Sequence, residues 1–66
     1  MTRYSRKALE DMKRAIAICV VAQKYLEDID QAYGSLESRE AVLAVERLGY
    51  KLMHEYQLMK AANNAS

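Results

Sequence analysis

From Ala8 onward, apolar side chains recur along the chain in alternating steps of four and three. The positions are Ala8, Met12, Ala15, Cys19, Ala22, Leu26, Ile29 and Tyr33. That spacing lines one face of an α-helix, and its heptad-like form predicts a helix packed against another helix. Leu9, Ile16 and Val20 widen the stripe on one flank, and Ile18, Val21 and Tyr25 widen it on the other. Small residues at Ala8, Ala15, Cys19 and Ala22 permit close helix approach. Between Ala15 and Ala22 the chain is apolar without a break. A helix that is apolar on every side wants cover on more than one side.

A second pattern follows: Ala41, Val45, Leu48, Leu52, Tyr56 and Met59, with Val42, Gly49 and Met53 alongside. Leu43, Tyr50 and Leu58 fall away from it. The two patterns part at Tyr33-Gly34-Ser35. Gly34 suits the left-handed terminator of a first helix. Ser35 suits the N-cap of a second, with Glu37 in its first turn to complement the helix dipole. Thr2 or Ser5 can cap the first helix. These signals predict a helix over about residues 5–32, a turn over about 33–35, a helix over about 36–61 and a disordered polar tail, 62–66. So short a link makes the helices antiparallel neighbours. Gly49, inside the second helix, costs about 1 kcal/mol against alanine. It is either tolerated or marks a crossing where a side chain would clash.

The chain has 66 residues, no proline and only two glycines. A chain of this size buries only about 60% of the surface its unfolded form exposes. Small folds therefore add disulfides, a metal or oligomerisation. One cysteine and one histidine make neither an internal disulfide nor a Cys/His zinc site. Oligomerisation remains. The expected fold is all-α: a two-helix antiparallel hairpin that homodimerises into a four-helix bundle. The expected dimer core is Met12, Ala15, Ile16, Cys19, Val20, Ala22, Leu26, Ile29, Val45, Leu48, Leu52 and Tyr56.

Ten basic and nine acidic side chains leave a net charge of +1. That balance argues against a dedicated nucleic-acid or membrane-surface binder. The apolar run is too short to span a bilayer and begins only after Glu10 and Asp11, unlike a secretory leader. The cytoplasm is the expected compartment. The first helix is basic at its start (Arg3, Arg6, Lys7) and acidic at its end (Glu27, Asp28, Asp30), which opposes its own dipole. A second copy of that helix running the other way offsets both ends.

Catalytic chemistry finds no foothold. His54-Glu55 opens like a zincin HExxH helix, but Leu58 stands where the second histidine belongs. Cys19 lies in the apolar stripe without an adjacent base and reads as a small packing residue. No glycine-rich phosphate loop occurs. The chain is expected to be neither an enzyme nor a holder of a cofactor or metal. Its expected partners are a second copy of itself and a host or complex protein. Tyrosine and arginine are favoured at binding hot spots, so Tyr50 with Arg47, Lys51 and His54 is the candidate partner surface. The alternative is a nucleic-acid contact through Arg3, Tyr4, Arg6 and Lys7, the tyrosine stacking on a base.

In layout, the expected dimer resembles the small plasmid RNA-binding repressors of the Rop type. In wording, Ser5-Arg6-Lys7-Ala8-Leu9-Glu10 and Arg47-Leu48-Gly49-Tyr50-Lys51-Leu52 resemble the short accessory proteins of the lambdoid phage early (exo–xis) region. That resemblance implies a non-enzymatic protein made early in infection. It would perturb host regulation or the choice between lysis and lysogeny through protein contacts. It carries over no functional residues.

Overall fold

In the computed structural model, which describes residues 3–65, two long helices pack against each other as a hairpin. Helix α1 runs Arg6–Tyr33 and helix α2 runs Leu36–Asn64. The hairpin measures 49 × 15 × 11 Å.

Local sequence sets both starts. The Ser5 hydroxyl accepts from the Ala8 N–H at 3.0 Å, and the Ser35 hydroxyl accepts from the Ser38 N–H at 3.0 Å. Each satisfies one of the amides that a helix N-terminus leaves unpaired. Thr2, the other candidate cap, lies outside the described residues. The first helix stops at Gly34, whose φ of 60° and ψ of 29° are left-handed. Its N–H donates to the Asp30 carbonyl at 2.7 Å. Glycine takes this conformation without the Cβ clash other residues meet.

The connection is only Gly34 and Ser35, and a side-chain bond reinforces it. Ser38 Oγ lies 2.6 Å from Asp30 Oδ1 and 2.9 Å from the Ser35 carbonyl oxygen. One hydroxyl carries one proton, and the nearer, charged carboxylate is the stronger acceptor. This ties the last turn of α1 to the first turn of α2.

The second helix outruns its expected end. Residues 62–64 continue α2 and Ala65 forms a turn, so the described part of the expected disordered tail is ordered. The cause is a clasp at the far end of the hairpin. The Tyr4 N–H donates to Asn63 Oδ1 at 2.9 Å, and Asn63 Nδ2 donates back to the Tyr4 carbonyl at 3.0 Å. Ser66 lies outside the described residues.

Three pairings fix the antiparallel register: Tyr4 with Asn63, Cys19 with Gly49, and Asp30 with Ser38. A Cβ built on Gly49 meets the Cys19 Cβ at 3.6 Å, an ordinary van der Waals distance. The helices approach closely there, and of the two readings of Gly49 the distance favours tolerance, since an added Cβ meets no clash. Gly49→Ala should therefore raise stability by about 1 kcal/mol through helix propensity. The urea unfolding midpoint measures it, and a lower midpoint would mean that an alanine side chain does not fit at Gly49.

Candidate interaction surface

Two residues, Cys19 and Met59, are buried among those described, and no side chain is completely enclosed. Met12, Ala15, Ala22 and Leu26 are half-buried on α1, as are Val45, Leu52 and Tyr56 on α2. These residues spend their apolar surface inside one hairpin. Of the expected dimer core, Ile16 is half-buried, whereas Val20, Ile29 and Leu48 stand exposed. Leu48 turns outward because the inward stripe passes through Val45, Gly49 and Leu52 instead.

The uncovered apolar residues fall on two sides of the hairpin. One side carries Ile18, Val21, Tyr25 and Ile29 of α1, with Leu48 of α2. Their spacing along α1 repeats the heptad rhythm, displaced from the stripe that meets α2. A shallow depression on α1 is lined by Ala17, Ile18, Val21 and Ala22 alone. The other side carries Val20, Tyr50 and Met53. Its central cleft, about 140 Å³, lies beside Gly49 and is also lined by Gln23 and Glu46. A neighbouring hollow on that side includes Lys13 and Gln57. The first side is apolar around Ile18 and Val21, with the carboxylates of Asp11 and Glu55 only toward the open end, whereas the second carries Gln23 and Glu46 in its central cleft.

The candidate partner residues Arg47, Tyr50, Lys51 and His54 are all exposed on the outward half of α2. Tyr50, 65% exposed, borders the cleft beside Gly49. Lys60 places its ammonium 5.4 Å from the Tyr56 ring centre, within cation–π range.

The candidate nucleic-acid residues are less available than their sequence suggests. Arg3, Arg6 and Lys7 are exposed. Tyr4 is held by its backbone against Asn63 and lines a hollow with Ala8, Met12, Leu52 and Met59. Lys7 Nζ lies 2.8 Å from Asp11 Oδ2. The hydrogen bond and charge of Asp11 raise the Lys7 pKa, and those of Lys7 hold the Asp11 carboxyl below its usual value. Acid would break the pair as the pH falls through the lowered Asp11 pKa.

Charge is unevenly spread along the hairpin. The open half, where Tyr4 meets Asn63, holds Arg3, Arg6, Lys7, Lys13, Arg14, Lys51 and Lys60 against Glu10, Asp11 and Glu55. The half containing Gly34 holds Lys24, Arg39 and Arg47 against Glu27, Asp28, Asp30, Glu37, Glu40 and Glu46. The halves are thus +4 and −3, within a chain of net +1. The first turn of α1 has no acidic residue and its last turn no basic one, so its ends oppose the helix dipole.

Periodicity alone could not find two of these features. The Asp30–Ser38 bond and the Tyr4–Asn63 clasp join polar residues across the hairpin, which leaves no repeating trace in sequence. Among the described residues, no group of three or more His, Cys, Asp or Glu is placed to hold a metal. No helix among them is long and apolar enough to cross a membrane. In comparison with known proteins, the chain matches no family model, no curated protein and no solved structure.

Proposed function

We propose that the protein is a non-catalytic interaction module that works as a homodimer, two hairpins forming a four-helix bundle. One observation carries this reading. Among the described residues, large apolar side chains stand uncovered on the hairpin while only Cys19 and Met59 are buried within it. Apolar surface of that extent on a small chain marks a binding surface, and a 66-residue hairpin has few other means of gaining stability. Surfaces left outside the dimer, Tyr50 among them, would engage a further protein in a regulatory role in the cytoplasm. That role would be like that of the phage early accessory proteins, acting on host regulation through protein contacts.

Light scattering coupled to size exclusion, across a dilution series, tests the dimer. A mass of twice the chain is expected. A compact helical monomer at all concentrations would overturn the proposal.

Nucleic-acid binding is the second reading, favoured by the +4 balance of the open half. Such binding would weaken steeply as salt rises and depend on Arg3, Arg6 and Lys7. Partner binding through Tyr50 would do neither.

A further inference from the structure

Two hairpins can stack face to face in two ways, with their turns at the same end or at opposite ends. We infer that the second copy covers the side carrying Ile18, Tyr25, Ile29 and Leu48, with the two turns at opposite ends. The inference rests on the dimer reading and adds to it which face is used and how the copies are oriented.

The choice of face follows from what lies on each side. Ile18 is 66% exposed and Tyr25 63%, and no polar side chain lines the depression around Ile18 and Val21. On the opposite side, Gln23 and Glu46 line the cleft next to Val20. Burying that side would strip water from a carboxylate and an amide, which is unfavourable unless each finds a partner. Covering the Ile18 side takes the apolar surface around Ile18 and Val21 out of water, and the carboxylates on that side, Asp11 and Glu55, lie toward the open end beside Tyr4 and Met59, away from this depression. A face 49 Å long and 15 Å wide is also of the right scale, since stable interfaces cover about 800 Å² per partner.

Charge sets the orientation. With the turns together, the two acidic halves would lie on one another, as would the two basic halves. With the turns apart, each +4 half faces a −3 half. Both helices contribute to this asymmetry, since Lys51 and Lys60 of α2 sit at the basic end and Glu37, Glu40 and Glu46 at the acidic one. The apolar face supplies the attraction, and the charges select between two ways of using it. The same geometry runs α1 antiparallel to the partner's α1, where each acidic end answers the other's basic start.

Distance measurement between spin labels tests the orientation. A single label is placed at the turn by Tyr33→Cys in a chain also carrying Cys19→Ala. Turns at opposite ends put the two labels about 30 Å or more apart, given the helical rise of 1.5 Å per residue. Turns together put them within about 20 Å, and that result would overturn the orientation while leaving the dimer intact. Absence of any interchain distance, with a monomer mass, would remove the dimer reading and this inference with it.

Two exposed positions test the face. Ile18→Glu should dissociate the dimer at least tenfold more readily than Val20→Glu, with helix content retained in both. The reverse order, or equal effects, would overturn the assignment of the face.

Discussion

Met59→Asp is expected to unfold the chain. Met59 is 7% exposed, the lowest value in the hairpin, and lies near the open end where α2 meets the start of α1. Truncating a buried methionine costs about 2–5 kcal/mol by itself. A carboxylate there adds the cost of holding a charge away from water without a partner. A core of this size supplies only about 3–5 kcal/mol in total. The far-UV circular dichroism of the variant should therefore lose most of its helical signal at 25 °C. Met59→Leu, which nearly conserves volume, should cost less than about 1.5 kcal/mol. A helical Met59→Asp variant with a sharp unfolding transition would show that contacts elsewhere hold the two helices together.

The second large effect is expected at the turn. Gly34→Val places a β-branched side chain at φ 60°, where the Cβ crowds the neighbouring carbonyl by about 1–2 kcal/mol or more. Space is not the obstacle, because apart from its chain neighbours the nearest atom to a Cβ there is the Asp30 carbonyl oxygen at 3.8 Å. The cost lies in the backbone itself. Thermal unfolding should move down by about 4–8 °C per kcal/mol in a chain of this size. An unchanged midpoint would mean that the turn adopts another conformation at little cost. Contrast with Gly49→Ala isolates the cause, since one glycine is needed for its φ and the other is not.

These two glycines show what the sequence reveals and what it conceals. Gly34 was legible, because a glycine followed by serine at the boundary between two periodic stretches has a local meaning. Gly49 was not, because whether a helical glycine marks a clash depends on the residue across the interface. The inward stripe was largely legible as well. Met12, Ala15, Cys19, Ala22 and Leu26 face α2, as their spacing requires. The stripe fails at its end. Ile29 and Tyr33 keep the rhythm yet are 45% and 80% exposed. Near the turn a polar contact joins the helices, the Ser38 hydroxyl donating to the Asp30 carboxylate. Leu36, at the start of α2, is 69% exposed as well. The end of α2 was misread because the polar stretch Asn63–Ser66 suggests disorder. Asn63 instead spends its polarity on the backbone of Tyr4. The candidate surface was legible only as an excess of apolar residues. Dividing them between two sides required the register of one helix against the other.

The Tyr4–Asn63 clasp spans 59 residues of chain, whereas the Gly34–Ser35 connection closes the shortest loop a hairpin can have. Closing a loop costs more entropy the longer it is, unless shorter loops inside it have closed first. Zipping from the turn keeps every successive closure short. The clasp is then the last contact to form and the first to be lost, and transient opening begins at the end farthest from Gly34. That end is also the one with the excess of arginine and lysine, so the part of the protein expected to open first is the part that carries its net positive charge.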